Sequence, residues 1–106
     1  MDNYNVNIRV NGLPRRSRCY EVKVKNGDRY AFDLRNNTCE DCRMYIFANN
    51  NFIGSFTVVR NWFLVVSVKA NGNEFVFKGD KEIFIKIDVV VNDKTVQTMY
   101  RRLRGE

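Results

Sequence analysis

The chain has 106 residues, a formal net charge of +6, three cysteines, one proline and no histidine. One domain spanning 1–106 is expected, because a chain of this size buries about 60–70% of its unfolded surface and has no room for a second core. The missing histidine removes the commonest general base, proton shuttle and metal ligand, so the expectation is a non-enzyme without cofactor.

The apolar run Trp62 to Val66 is far too short to span a membrane. Residues 1–5 carry neither a basic nor an apolar signal region, so a cytoplasmic setting is expected, with a virion or a signal-independent secretion route as alternatives. Asparagine is the unusual component, with 14 copies, several of them adjacent. It tolerates left-handed backbone and bonds its own main chain, which predicts many tight turns.

Tyr4, Val6, Ile8 and Val10 alternate with Asn3, Asn5, Asn7 and Arg9, the pattern of a half-buried strand. A loop with Gly12, Pro14 and three arginines follows, then a strand over 20–25. Asn26-Gly27 reads as a hairpin turn into a strand with Tyr30, Phe32 and Leu34 on one face and Arg29, Ala31, Asp33 and Arg35 on the other. Further strands are expected at 43–48, within 52–60, at 62–70, 74–78, 82–91 and 95–101. Trp62 to Val66 is apolar on both faces and is expected to be central in its sheet. About nine short strands without a helical stripe predict an all-β antiparallel sandwich of jelly-roll or barrel type.

Cys39-Glu40-Asp41-Cys42 has the spacing of a redox or zinc motif. Its two acidic residues disfavour a thiolate, no βαβ pattern surrounds it, and Cys19 leaves a zinc site one ligand short unless Glu40 or Asp41 serves. The expectation is two loop thiols, free or joined locally, and no metal. Arg15, Arg16 and Arg18 share one loop, and Arg101, Arg102 and Arg104 crowd the C-terminal tail. Such clusters suit nucleic-acid phosphates, or else serve as a solvated rim that keeps sheet edges apart.

If Phe32 and Leu34 point inward, Arg29, Asp33 and Arg35 point outward. One register of the following strand buries Met44 and Ile46 and puts Tyr45 and Phe47 on that same outer face. The opposite register remains open. Planar donors, a carboxylate and rings side by side suit a sugar, whose hydroxyls take hydrogen bonds while a ring packs on its C–H face.

Gly12-Leu13-Pro14, Arg18, and Tyr20 to Val24 resemble the opening strands of a galectin carbohydrate-recognition domain. Gly27 to Asn37 aligns with that family's G-x-x-I-A-L-H-F-N-P-R segment. Val66-x-Val68-x-x-Asn71-Gly72-x-x-Phe75-x-Phe77 and Val89-x-Val91-Asn92-Asp93-x-x-Val96-x-Thr98-Met99 are similar to its later hairpins. The resemblance implies a galectin-like sandwich. The family's galactose contacts do not carry over: Asp33, Arg35 and Asn37 stand at its His, Asn and Arg positions, and Phe52-Ile53-Gly54 replaces its tryptophan motif.

The function expected is a non-enzymatic binding module for an anionic glycan or a protein surface. Its ligand-binding residues are Arg29, Asp33, Arg35 and Asn37, with Arg43, Tyr45, Phe47 and Asn49 on the neighbouring strand. The alternatives are a structural or assembly protein (a capsid-type jelly roll or an oligomer subunit) and a single-stranded nucleic-acid binder using the two arginine clusters.

Overall fold

The structure, a computed structural model, describes residues 2–15, 20–79 and 82–106. Ten strands are present and, among the described residues, no helix. They are β1 (Tyr4–Val10), β2 (Leu13–Pro14), β3 (Glu21–Val24), β4 (Arg29–Asn36), β5 (Cys42–Ala48), β6 (Asn51–Val58), β7 (Trp62–Val66), β8 (Phe75–Val76), β9 (Ile83–Val91) and β10 (Lys94–Gly105). The first sheet runs β2-β1-β4-β7, with β8 also pairing β4; the second runs β3-β10-β9-β5-β6.

The alternation places the core as expected. Val6 and Ile8 of β1 and Phe32 and Leu34 of β4 face Met44, Ile46, Ile85, Ile87 and Leu103 of the second sheet, all 0–2% exposed. A Tyr30–Phe32–Phe75 ring cluster, with centroids 5.4–5.9 Å apart, fills the end where β8 joins β4. Of the two registers left open for β5, the one that buries Met44 and Ile46 is formed.

Asparagine shapes the connections. Asn11 and Gly12, Asn49 and Asn50, and Asn92 and Asp93 each supply two consecutive positive φ values between paired strands. These are the hairpin turns, since positive φ at both central residues matches the twist of the flanking strands. The first of them turns Leu13–Pro14 back onto β1 as β2, a tenth strand where a loop was expected.

Asn26-Gly27 does not make the expected hairpin. Only Gly27 has positive φ, at 91°, and Asp28 N–H closes the turn on the Lys25 carbonyl at 2.9 Å. A turn of this kind splays its flanking strands instead of pairing them. β3 therefore enters the second sheet and β4 the first. The β3–β10 pair is parallel, the one departure from antiparallel order among the described strands.

β7 is an edge strand and not the central one expected. Leu64 and Val66 face the core, while Phe63 (42% exposed) and Val65 (36%) lie on the outer face beside Arg35 and Asp33. Apolar residues on both faces here mark a half-exposed apolar patch, not burial on two sides.

Candidate binding face

The outer face of the first sheet is built from three strands in register. Asn5, Arg35 and Phe63 form one row across β1, β4 and β7; Asn7, Asp33 and Val65 form the next; Arg9 and Ala31 begin a third. Strand alternation predicts that such residues face water, yet Asp33 is 1% exposed. Two guanidinium groups close over it: Arg9 Nη2 lies 3.3 Å and Arg35 Nη2 3.1 Å from Asp33 Oδ2. Arg35 also lies over the Phe63 ring, 5.3 Å from its centroid.

The pairing is incomplete. Asn7 Oδ1, Arg9 Nε, Asp33 Oδ1 and Arg35 Nε are buried with no hydrogen-bond partner. These four atoms, two donors and two acceptors, all lie on this one face. Buried polar atoms without partners are rare in folded proteins, because each forfeits its hydration for nothing in return.

A cleft of about 460 Å³ adjoins this cluster, lined among others by Arg9, Asn11, Arg29, Ala31, Val65 and Glu74. One wall is the Asn11-Gly12 turn and the other the excursion between β7 and β8, closed by the Val68–Glu74 bridge. The small side chain of Ala31 keeps the cleft open above β4. Arg29 Nε meets Glu74 Oε2 at 2.9 Å, an exposed pair at the cleft mouth. Its backbone N–H is held by Asn11 Oδ1 at 3.0 Å, while Asn11 Nδ2 donates to Asp28.

The eight residues expected to form one site divide between the two faces of the sandwich. Arg29, Asp33 and Arg35 share the cleft side. Arg43, Tyr45 and Phe47 lie on the outer face of the second sheet, because β4 and β5 belong to different sheets. The loop between them crosses the sandwich and is anchored by Asn36, which is fully buried and fully bonded. Its Nδ2 donates to the Glu40 and Val58 carbonyls at 2.8 and 3.0 Å, and its Oδ1 accepts from Thr38 N and Oγ1.

Asn37 and Asn49 have structural bonds. Asn37 Nδ2 donates to the Asp2 carbonyl at 3.1 Å, and Asn49 Oδ1 accepts from Phe84 N–H at 2.9 Å, in a turn residue with φ 49°. Arg43 lies flat across β6, donating to Ser55 Oγ at 3.1 Å and Thr57 Oγ1 at 3.0 Å. Tyr45 and Phe47 pack against Phe52, and Lys86 sits 4.7 Å above the Phe47 ring.

Sequence reasoning missed Asn7, Arg9, Phe63 and Val65. Only Arg9 carried a signal, as the lone charge on the polar side of β1. The C-terminal arginines are engaged within the fold: Arg102 pairs with Glu82 and Glu21, Arg104 with the same two carboxylates, and Arg101 donates to Asn5 Oδ1 and the Val6 carbonyl. Arg15 is exposed, whereas Arg16, Arg18 and Cys19 lie outside the described residues. Cys39 and Cys42 are free thiols, Cys39 exposed and Cys42 buried. No protein-family model matches this chain, and no curated protein matches it.

Proposed function

We propose that the chain is a non-enzymatic, galectin-like binding module that takes an anionic glycan on the outer face of its first sheet. The observation that carries this reading is the set of four unpartnered buried polar atoms around Asp33 beside an open cleft. Two of them donate and two accept. A sugar hydroxyl does both, whereas a phosphate or carboxylate only accepts. Arg9, Arg29 and Arg35 outnumber Asp33 and Glu74 on this face, which favours a sugar bearing a carboxylate or sulfate. Phe63 and Val65 offer apolar surface for a C–H face. The guanidinium groups cover the unpartnered atoms, so binding draws Arg9 and Arg35 outward to share their donors with the ligand.

The test is a glycan array at two salt concentrations with the chain and its Arg29→Ala and Phe63→Ala variants. Both side chains are substantially exposed, so folding survives the change. Retained binding of sialylated or sulfated glycans at the higher salt, lost in both variants, supports the reading. An empty array, or signals unchanged in the variants, removes it.

A second reading is single-stranded nucleic acid on the opposite face. It is favoured by Tyr20, Phe84 and Tyr100, each about half exposed, around a cleft that also includes Lys86. Rings interleaved with cations form stacking platforms for bases. Such binding falls steeply with salt, which separates it from the first reading.

A further inference from the structure

At the end where β8 joins β4, the two sheets part and leave the core open. Ala48, Ile53 and Ile83 pack on the core from the second sheet yet stay partly exposed. With Tyr30 and Phe75 of the first sheet they line a cavity of about 540 Å³, with Lys69 also on its wall. That volume lies in the range of small-molecule sites. A β-bulge supplies one wall. β6 turns Val58 and Phe56 toward the core two residues apart, but Ile46 pairs with Gly54 and Phe47 with Phe52, which leaves Ile53 extra. The bulge re-aims Ile53 to the core side, while Phe52 packs on Tyr45 and Phe47 across the sheet.

Tyr30 is the polar group at the inner end. It is 8% exposed, its ring stacks on Phe75 with centroids 5.5 Å apart, and its hydroxyl makes no hydrogen bond. A buried phenol ordinarily has a partner. Burial also holds its pKa above the ordinary value of 10, so at neutral pH the hydroxyl is a donor.

The cavity opens into a wider vestibule of about 660 Å³, and Asn49, Lys69 and Ile83 border both. Two lysines, Lys69 and Lys78, stand exposed there without an ion pair. Glu74, the one carboxylate among the described lining residues, is taken by Arg29 at 2.9 Å. The vestibule therefore presents two cations that no group of the chain neutralises.

We infer that this end of the sandwich binds a small amphipathic anion: a ring-bearing organic carboxylate. Its apolar body lies between the sheets against Tyr30, Phe75, Ile53 and Ile83. An oxygen on that body accepts from the Tyr30 hydroxyl, and the carboxylate meets Lys69 and Lys78 in the vestibule. Each anchor answers a group that the fold leaves unmatched. The site is separate from the glycan face, since Arg9, Asp33 and Arg35 border neither compartment.

The inference stands apart from the glycan reading and is tested by fluorescence titration of the full chain with 7-methoxycoumarin-4-acetate. This probe has a flat ring body, a lactone carbonyl and a carboxylate. Saturable binding is expected with Kd on the order of 100 µM, the range for a ligand of this size. Its uncharged methyl ester should bind about ten-fold more weakly, as should the acid to Lys69→Glu, which alters only an exposed, unpaired side chain. Tyr30→Phe should weaken the acid about five-fold with no fall in unfolding midpoint, because the hydroxyl it removes has no partner in the fold. No binding at millimolar probe overturns the inference, as does an ester that binds as tightly as the acid. So does an affinity unchanged in Lys69→Glu or Tyr30→Phe, or a Tyr30→Phe chain that melts lower, which would give the hydroxyl a structural role instead.

Discussion

Replacing Asp33 by alanine tests the chemistry of the candidate face at its centre. The carboxylate is 1% exposed, while Arg9 and Arg35 keep 30% and 43% of their side chains in water. Removing one member of a fully buried ion pair costs about 3–5 kcal/mol, because the remaining charge is left without a counter-ion. Here two guanidinium groups would be left facing each other, but both can turn toward solvent, and that screening discounts the loss. The unpartnered Asp33 Oδ1 disappears as well, which returns part of the free energy. The balance is a loss of about 2 kcal/mol, equivalent to a fall of roughly 10 °C in unfolding midpoint for a domain of this size. Urea titration and thermal melts of Asp33→Ala read both quantities. Replacing the whole group, Arg9→Met with Asp33→Val and Arg35→Met, is expected to leave stability unchanged or higher by about 1–4 kcal/mol. An Asp33→Ala chain within about 0.5 kcal/mol of the parent would refute the ion-pair account. A triple variant far less stable than Asp33→Ala would refute the view that the cluster serves binding more than stability.

The remaining predictions concern side chains outside that cluster. Burial, reinforced by the neighbouring Asp41 charge, pushes the Cys42 thiol up to about 11. Iodoacetamide at pH 8 should therefore modify exposed Cys39 readily and spare Cys42 until the chain unfolds; equal labelling of the two, mapped by mass spectrometry, would contradict the burial. The hydrogen bond from Arg102 holds the Glu82 carboxyl below its ordinary value of 4.5, and the Lys25 backbone N–H with Asn11 holds Asp28 below 3.8. A depressed folded-state value means stability present above the unfolded value and lost as pH falls through the folded one. The loss should begin below about pH 4.5 and shrink in Glu82→Gln; an acid titration identical in parent and variant would count against it. Asn49→Ala removes the acceptor of Phe84 N–H and places alanine at φ 49°, for a loss of about 1–2 kcal/mol with glycan binding unchanged. Lost binding at parental stability would restore Asn49 to the site.

Most of the fold was legible because alternation is a local signal. Val6, Ile8, Phe32 and Leu34 each face the core as their spacing implies, whereas Met44 and Ile46 face it in one of two registers that their spacing allowed equally. Sheet membership was not legible, since it depends on turns whose chemistry differs by a single dihedral. Asn11-Gly12 and Asn26-Gly27 are the same dipeptide, yet only the first has both residues at positive φ. What separates them is tertiary: Asp28 caps Lys25 N–H, and Phe77 bonds both Gly27 N–H and the Asp28 carbonyl. That difference sends β3 and β4 to opposite sheets, while the separate loop anchored by Asn36 carries the chain across to β5 and places Tyr45 and Phe47 on the far side from Asp33.

The candidate site was half legible for the same reason. Asp33 and Arg35 stood out as charged residues on one side of an apolar strand. Their partners Arg9 and Phe63 come from β1 and β7, 24 and 30 positions from Asp33 in the sequence. No spacing rule links them. The burial of Asp33 is likewise a property of three strands together, since two long arginine side chains from β1 and β4 supply its cover.

The central claim is that the outer face of the first sheet, around Asp33, receives the ligand. The most direct measurement is a nitrogen-15 NMR titration of the arginine Nε–H signals with a sulfated or sialylated oligosaccharide. The unpartnered Arg9 and Arg35 Nε–H groups report on the site from its centre. Their signals should shift and gain protection from exchange, together with the backbone amides of Asn7, Ala31 and Val65. Shifts confined to Phe84, Lys86 and Tyr100 on the opposite face, or no shift at all, would contradict the account.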